Sequence, residues 1–145
     1  MIAEATAKGV SGLRFGTAAA TGSGDNQLLL KLRSQMEEYW AGRRREFDFP
    51  LDLQGTDFEL RVWRAIAEVP FGQTRSYAEI ARRVGAPRAF RAVGRAVGRN
   101  PIWLVIPCHR IVASDGGLGG YAGGLERKRR LLEHEGPQSR PKAPA

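Results

Sequence analysis

The sequence predicts an α/β protein built mainly from helices. Two observations carry this class: apolar residues recur at helical spacing in several segments, and strand-like runs are few and short. We expect a mainly α-helical C-terminal domain with a helix-turn-helix and a short strand pair, preceded by a short α+β N-terminal region. The predicted boundaries are 1–55 for the N-terminal region and connector, 56–136 for the main domain, and 137–145 for a disordered tail.

The first 55 residues predict few elements. The run "GVSGLRF" is one candidate strand, and the small, polar stretch 16–27 is a link without periodicity. The segment "LLLKLRSQMEEYWAG" then predicts an amphipathic helix that ends near Gly42. Its inward positions are Leu28, Leu32, Met36 and Tyr39/Trp40. "FDFPLDLQG" follows as an extended connector, since its proline excludes a central strand.

Two capping boxes mark the starts of the next two helices. Thr56 has Glu59 three positions on, and Ser76 has Glu79 at the same spacing. In each box, two side chains satisfy backbone N–H groups that the helix leaves unpaired. The first helix should stop at "PFG" and the second at Gly85.

A third helix is predicted from Pro87, because a proline at the first helical position loses no hydrogen bond. Its apolar stripe is Phe90, Val93 and Val97, and its basic row is Arg88, Arg91, Arg95 and Arg99. A helix, a tight turn and a second helix with one basic face is the helix-turn-helix arrangement. Gly94 and Gly98 suit a helix whose backbone another molecule approaches closely. The alternative is an ordinary surface helix with solvated arginines.

The remaining elements follow from two runs. "IWLVI" over 102–106 has the composition of a short buried strand that Pro107 ends. "LERKRRLLEHEG" predicts a last helix with Gly136 as its stop and with Leu125, Leu131 and Leu132 inward.

The positive charge lies entirely in the second part of the chain. Residues 1–55 carry seven basic and seven acidic side chains, whereas 56–145 carry sixteen and eight. The stretch from Arg75 to Arg110 contains eight arginines and a single acidic residue, Glu79. This density favours a polyanionic partner, most simply nucleic acid, over a basic face of no particular purpose.

Several classes of protein are not expected. No apolar run approaches the roughly 18 residues of a membrane span, and the N-terminus lacks the order of a signal peptide, so we expect a cytoplasmic protein without membrane contact. One cysteine cannot form an internal disulfide. With two histidines besides, His109 and His134, a structural zinc is not expected. We expect no metal, no cofactor and a monomer.

Cys108 is the one cysteine, and two interpretations compete. A lone cysteine is commonly a small buried apolar residue with a raised pKa. Cys108, however, follows a proline and precedes His109 in a cationic segment, which favours a thiolate. The imidazole could accept the thiol proton if a carboxylate orients it, and Glu133 and Glu135 are both candidates. A Cys-His-acid set also suits a cysteine hydrolase.

The chain resembles the C-terminal domain of the O6-alkylguanine-DNA alkyltransferases, also called methylated-DNA-protein-cysteine methyltransferases. The resemblance rests on "GRNPIWLVIPCHRIV", "GGYAGGLERKRRLLEHEG", "SYAEIARRVG" and "RAVGRAVGRNP", and it is dense from Thr56 to Gly136. Residues 28–55 are more loosely similar to the end of that family's N-terminal domain. Compared with the family it resembles, we expect a shortened N-terminal region that lacks the usual opening strands.

The resemblance implies a DNA repair protein that transfers an alkyl group irreversibly to itself. Cys108 would take the group from the O6 atom of guanine, and O4-alkylthymine is a further substrate of this class. His109 would act as base through a water, Glu135 would orient His109, and Asn100 would support the active-site turn. The alternative within the same fold is a non-catalytic damage sensor, in which the cysteine is replaced.

The resemblance also implies the residues that meet double-stranded DNA through the minor groove. Tyr77 would help rotate the damaged nucleotide out of the stack, and Arg91 would fill the gap. Ala92 and Gly94 would let the helix approach, while Arg95 and Arg99 would hold phosphates. The substrate pocket would comprise Trp103, Ile111, Tyr121 and Ala122. Trp103 stands where many members have proline and Ala122 where some have serine.

Overall fold

The computed structural model describes two stretches of the chain, residues 1–16 and 27–136. The predicted link at 16–27, apart from its two end residues, and the predicted tail at 137–145 lie outside the described residues. Within the two stretches, no helix has both the length and the apolar character that a bilayer crossing requires.

The chain begins with an antiparallel β-hairpin. Strand β1 spans Ile2–Thr6 and pairs with β2, which spans Gly9–Arg14. The prediction of a strand over "GVSGLRF" is confirmed, and β1, which precedes it, is a strand that the sequence did not predict. The sequence of β1, "IAEAT", lacks the alternation of large apolar and polar residues that predicts a strand. No residue of β1 is fully buried, so neither face of this strand requires large apolar side chains.

Helix α1 spans Gln27–Trp40 and ends before Gly42, whose φ of +78° suits glycine. The predicted helix is confirmed. Its buried side chains are Leu32, Gln35, Met36 and Tyr39, whereas Trp40 is exposed. Gln35 holds the connector, because its amide accepts from the Asp48 N–H (2.8 Å) and donates to the Asp48 carbonyl (3.1 Å). The connector then runs beside β2, where the Val10 N–H donates to the Pro50 carbonyl.

Both capping boxes form as predicted. Helix α2 spans Asp57–Ala67 and is capped by Thr56. A two-residue strand β3, Arg75–Ser76, leads directly into α3, Tyr77–Arg83, which Ser76 caps. Gly85, at φ +79°, ends this helix.

Helix α4 spans Phe90–Gly98, three residues shorter at its start than predicted. Residues 86–89 form a turn closed by the Ala89 N–H and the Ala86 carbonyl, and Ala86 has no side chain that could cap a helix at Pro87. Arg88 therefore lies in the turn, outside the basic row. Phe90 was expected in the apolar stripe but is 54% exposed, while Val93 and Val97 are buried. The helices α3 and α4 pack together as the expected helix-turn-helix.

The predicted strand at 102–106 is wrong. Ile102 makes a single bridge to Leu13, and the chain then turns, with Leu104 at φ +72°. A buried turn and a buried strand both require apolar residues, so composition did not separate them. The short strand pair that the fold class requires comes instead from β3 and β4, Ile111–Val112, which pair in parallel.

Helix α5 spans Leu125–Glu135 and ends at Gly136, as predicted. Leu131 and Leu132 are buried, but Leu125 is 51% exposed, against expectation. The fully buried Lys128 takes the inward position one turn after Leu125. The core lies between α2, α4, the turn at 102–106 and the inner faces of α1 and α5.

Candidate active site

Cys108 lies at the base of a small cavity between α4 and a glycine-rich loop. It opens a single turn of 3-10 helix, Cys108–Arg110, directly after Pro107. The cysteine is 2% exposed, and the cavity volume is about 110 Å³. The residues around the cavity come from α3, α4 and the loop: Tyr77, Gly94, Val97, Gly98, Cys108, Gly120, Tyr121 and Ala122.

The thiol of Cys108 is protonated at neutral pH. Burial raises its pKa to about 11, and the Asn100 side chain and the Lys128 charge offset only part of that effect. The expectation that the cationic segment favours a thiolate is therefore not met in the free protein. Ionisation of this sulfur requires a base nearby.

His109 is the neighbouring base, and Glu135 orients it. The two side chains are fully buried, and 2.8 Å separates His109 Nε2 from Glu135 Oε2. Glu133, the other candidate, is exposed. Burial lowers the pKa of His109, so the ring is neutral at pH 7. Because a carboxylate can only accept, Nε2 carries the proton and Nδ1 has a free lone pair.

His109 Nδ1 is a buried atom without a hydrogen-bond partner in the described residues. Buried polar atoms are nearly always paired, so an unpaired one marks a place where a proton or a polar group is received. The neutral ring, with Nε2 held by Glu135, is arranged to accept a proton at this atom.

Glu135 is held as an anion by three residues. Burial alone would raise the pKa of its carboxyl, but the bonds and charges of His109 and Arg110 outweigh burial and hold the pKa far below its usual value. Arg110 Nε donates to Oε1 at 2.7 Å and Nη2 donates to Oε2 at 2.9 Å. The Tyr39 hydroxyl donates to Oε2 at 2.7 Å.

Sequence reasoning assigned no role to Tyr39 or Arg110. Arg110 follows the Cys-His pair directly, and this adjacency was its only sequence signal; the need for a carboxylate partner becomes evident only once the structure shows Arg110 and His109 buried. Tyr39 had no such signal, because it is separated from Glu135 by 96 positions and lay among the predicted core residues of α1.

Asn100 stabilises the turn that precedes Cys108. Its side-chain amide donates to the Ile106 carbonyl at 2.7 Å, and its side-chain oxygen accepts from the Ile102 N–H at 2.9 Å. Its backbone carbonyl accepts from the Trp103 indole N–H at 3.0 Å. Because Asn100 is buried and fully bonded, it fixes both ends of the turn.

Of the four residues expected in the substrate pocket, two line the Cys108 cavity and two lie outside its lining. Tyr121 and Ala122 line the Cys108 cavity, and the Tyr121 hydroxyl is another buried atom without a partner in the described residues. Trp103 lies behind Tyr121, with the ring centres 5.8 Å apart, and Ile111 is buried in β4. Neither Trp103 nor Ile111 is among the residues that line the cavity.

Lys128 ties the glycine-rich loop to the site. Its ammonium donates to the carbonyls of Ile111 (2.6 Å), Leu118 and Gly120 (2.9 Å). Burial lowers the pKa of Lys128 to about 8. Sequence reasoning missed this residue, although its spacing from Leu131 and Leu132 places it on the apolar face of α5.

Tyr77 lines the cavity from the start of α3. It is the first residue of α3, and its hydroxyl donates to the Gly120 carbonyl at 3.3 Å. A Cβ on Gly119 would come within 2.8 Å of the Tyr77 ring, and Gly119 has φ +70°. The loop can therefore close over this tyrosine only with glycine at that position.

The outer surface of α4 is basic and unobstructed. Arg91, Arg95 and Arg99 are exposed, and in the described ranges an ion pair involves only Arg99, 3.7 Å from Glu59. Ala92 is partly exposed between them. A Cβ on Gly94 would meet nothing within 4 Å. The helix can thus approach another molecule closely at Gly94 while its arginines contact phosphates.

A metal centre requires several ligating side chains close together. In residues 1–16 and 27–136, no three His, Cys, Asp or Glu side chains come together in a way that could hold an ion.

Comparison with known proteins agrees with this geometry. Residues 57–137 match the model of the 6-O-methylguanine DNA methyltransferase DNA binding domain. A methylated-DNA-protein-cysteine methyltransferase of Mycobacterium tuberculosis is 56% identical over 101 residues, which are 70% of this chain and 61% of the relative. One from Methanosarcina barkeri is 54% identical over 101 residues, 70% of this chain and 64% of the relative. The chain thus spans less than two thirds of either relative's length.

Among solved structures, the chain is similar to Mycobacterium tuberculosis OGT in complex with DNA. The TM-score is 0.84 and the identity 43%, and the match covers 97% of this chain and 88% of that one. The similarity thus includes the N-terminal region as well as the domain that carries Cys108.

Proposed function

Because the chain belongs to the 6-O-methylguanine DNA methyltransferase family, we propose that it repairs DNA by moving an alkyl group from O6-alkylguanine to its own Cys108. One observation carries the proposal: the only sulfhydryl of the chain lines a cavity, and the next residue is a neutral imidazole that a carboxylate orients. The cavity opens next to a basic helix.

The transfer is a displacement at the alkyl carbon. A bond forms between that carbon and Cys108 Sγ as the bond to guanine O6 breaks, giving a thioether and guanine. The thiol proton passes to His109 Nδ1, directly or through a water, and Glu135 stabilises the imidazolium. The displaced guanine leaves as an anion, and the proton held by the imidazolium passes to its ring nitrogen, directly or through water, so that His109 becomes neutral again and the overall charge is unchanged. No step restores the thiol, and each molecule acts once.

The resting thiol, with its pKa raised by burial, suits such a reaction. A free thiolate would react with any electrophile, whereas a buried thiol reacts where proton transfer and alkyl displacement are coupled. Asn100 keeps the turn in place, so that sulfur and base hold their positions while the substrate enters.

The damaged nucleotide has to leave the duplex to reach the sulfur. The cavity of about 110 Å³ is smaller than the roughly 300 Å³ of ordinary ligand pockets, so the loop with Tyr121 and Ala122 moves outward on entry. Tyr77 lies at the entrance, and Arg91 fills the vacated space in the duplex. Arg95 and Arg99 hold phosphates on either side, and Ala92 and Gly94 allow close approach.

We propose that the protein acts on double-stranded DNA as a monomer. It would do so in the cytoplasm and without a cofactor. O4-alkylthymine is a second substrate of the same chemistry, because its alkyl group is attached to an equivalent exocyclic oxygen. Trp103 and Ile111 support the pocket from behind Tyr121 and from β4 rather than touching the base.

Two other functions are consistent with parts of the site, but no observation favours either. A damage sensor of this fold binds the lesion without chemistry, and it has no use for Cys108 with its oriented base. A cysteine hydrolase would leave the basic face of α4 without a purpose.

Intact-mass measurement separates the three. The full chain is incubated with a duplex that contains one O6-methylguanine, and we expect one added methylene per molecule, located on the Cys108 peptide. Modification should stop at one equivalent. The Cys108→Ser variant should still bind the duplex but gain no mass.

The remaining outcomes contradict the proposal. An unmodified wild-type protein that binds the lesion would be a sensor. Release of more than one equivalent of repaired DNA per protein, or turnover of an ester, would exclude a self-inactivating transferase.

A further inference from the structure

Phe90 is exposed, whereas the other phenylalanines of the chain are partly buried. Of the six phenylalanines, five pack against the core: Phe15, Phe47, Phe49, Phe58 and Phe71. Phe90 is 54% exposed, and in the described residues no aromatic ring or cation lies against it. Burial of a phenylalanine side chain stabilises a protein, and Phe90 forgoes a large part of that stabilisation in the free protein.

The position of Phe90 on α4 distinguishes it from a scattered surface residue. Phe90 is the first residue of the helix, and Gly94 and Val97 follow it at i+4 and i+7, which places the three on one face. Gly94 and Val97 line the cavity that contains Cys108. With a rise of about 1.5 Å per residue, the Cα of Phe90 lies about 6 Å along the helix axis from that of Gly94.

The direction of the side chain extends the reach of Phe90. Helical side chains lean toward the N-terminus of their helix, so a ring on the first residue of α4 is expected to cover surface beyond that end of the helix. Phe90 thus extends the face that carries Gly94 and borders the cavity. Its neighbour Arg91 is also exposed.

The surroundings of Phe90 suit a flat, negatively charged partner. Arg88, in the turn before α4, is exposed like Arg91. Beyond Phe90, the surface at Gly94 is open, because a Cβ there would meet nothing within 4 Å. An apolar ring between two arginines and a bare helix face matches the surface of stacked bases flanked by phosphates.

We propose that Phe90 is a wedge residue that contacts the bases next to the extruded nucleotide when α4 docks on DNA. This inference rests on the proposed function. Removing one nucleotide leaves the faces of the adjacent bases without a stacking partner. Arg91 fills the space with a charged, hydrogen-bonding group, and Phe90 covers an exposed base face with an apolar one. Side chains such as phenylalanine are used in this way by other proteins that kink DNA from the minor groove.

The size of the expected effect follows from stacking energetics. Replacing an aromatic residue that stacks on a base by alanine lowers affinity by about 5- to 150-fold. We therefore expect Phe90→Ala to lower the rate of Cys108 methylation on a duplex with O6-methylguanine by that factor under subsaturating conditions. Phe90→Trp, which keeps an aromatic face, should restore the rate to within about threefold of the wild type.

Two readouts separate contact with DNA from a structural role. The first is the reaction of Cys108 with the O6-methylguanine nucleoside in solution, which needs no extrusion and should be equal in Phe90→Ala and the wild type. The second is the fluorescence of 2-aminopurine placed beside the lesion, which should rise on binding of Cys108→Ser and rise less when Phe90→Ala is added. Leu125→Ala is the matched control, since Leu125 is 51% exposed and lies on α5.

The outcomes decide the proposal in either direction. The proposal is supported if Phe90→Ala slows Cys108 methylation on the duplex but leaves the reaction with the nucleoside unchanged. Phe90→Trp should then restore the duplex rate, and Leu125→Ala should not alter it. Equal duplex rates for Phe90→Ala and the wild type overturn it, as does an equal loss on duplex and nucleoside. If the wild type transfers no methyl group to either substrate, the proposed function fails, and the 2-aminopurine signal still decides whether Phe90 contacts the bases.

Discussion

At the scale of single residues, the site is organised around the charge of one buried carboxylate. Glu135 accepts hydrogen bonds from His109, Arg110 and Tyr39, which come from the cysteine turn and from α1. A buried anion is costly unless it is paired and fully hydrogen-bonded, and here every partner is a donor. The same carboxylate that orients the base therefore also joins distant parts of the chain.

Removing this charge should reduce stability in a pH-dependent way. Glu135→Gln leaves Arg110 buried without its counter-ion, and we expect the free energy of unfolding at pH 7 to fall by about 3–5 kcal/mol. The pKa of Glu135 is lowered by folding, so its contribution is complete above its unfolded pKa of 4.5 and is lost as the pH falls below that value. Urea unfolding at several pH values should show the variant and the wild type converging in acid.

The control for this experiment is Glu133→Gln, because Glu133 is exposed on the same helix. It should change the unfolding free energy by less than about 0.5 kcal/mol at any pH. A deficit of Glu135→Gln that is as large at pH 3 as at pH 7 would contradict the electrostatic account.

Lys128 should hold the loop that closes the cavity. Lys128→Met removes an ammonium that donates to three carbonyls, and we expect faster amide hydrogen exchange in residues 113–124. Misplacing the loop should also slow Cys108 methylation by roughly 10- to 100-fold. Arg129→Met, an exposed neighbour on α5, should change neither quantity. Unchanged exchange in the loop of Lys128→Met would remove Lys128 from this role.

At the scale of elements, α4 combines a buried face with an open one. Val93, Ala96 and Val97 pack inward, while Gly94 faces the cavity without any neighbour at the position of a Cβ. Glycine within a helix is less stable than alanine by about 0.8–1 kcal/mol. Retaining glycine at an uncrowded position indicates that the crowding comes from a partner.

Gly94→Ala should therefore stabilise the free protein and weaken its complex with DNA. We expect the free energy of unfolding to rise by about 0.5–1 kcal/mol, because the new methyl group clashes with nothing in the chain. Affinity for duplex DNA should fall, which fluorescence anisotropy measures. Ser34→Ala, exposed on α1, raises helix propensity without altering α4 and should leave affinity unchanged. Tighter or equal DNA binding by Gly94→Ala would contradict the close approach.

At the scale of the whole molecule, the N-terminal region is built into the active-site turn. The Leu13 N–H donates to the Pro101 carbonyl at 2.9 Å, and the Trp103 N–H donates to the Leu13 carbonyl at 2.9 Å. Strand β2 thus borders the turn that Asn100 organises. The Tyr39–Glu135 bond makes a second connection, from α1 to the last helix.

These connections predict unfolding as one cooperative unit. Leu13 is fully buried, and Leu13→Ala should lower the free energy of unfolding by about 2–5 kcal/mol. Far-UV circular dichroism and tryptophan fluorescence should give coincident urea transitions in both the wild type and the variant. Leu30→Ala, exposed on α1, should shift neither transition measurably. Two separated transitions would mean that the N-terminal region unfolds independently.

The sequence by itself determined the features that depend on neighbours along the chain. The capping boxes at Thr56 and Ser76, the glycine stops and the order of the helices are local, because each is set by bonds within a few residues. The motif around Cys108 predicts a nucleophile and an adjacent base for the same reason, since the two residues are neighbours in the chain.

The tertiary structure decided what depends on distant contacts. The choice of Glu135 over Glu133, the roles of Tyr39 and Lys128 and the exposure of Phe90 follow from which surfaces are brought together in space. Periodicity assigns a residue to a face of its helix, but whether that face meets the core, a cavity or solvent is set by packing. The raised pKa of Cys108 is likewise a consequence of the tertiary structure, because burial, rather than the arginines nearby in the sequence, has the largest effect on it.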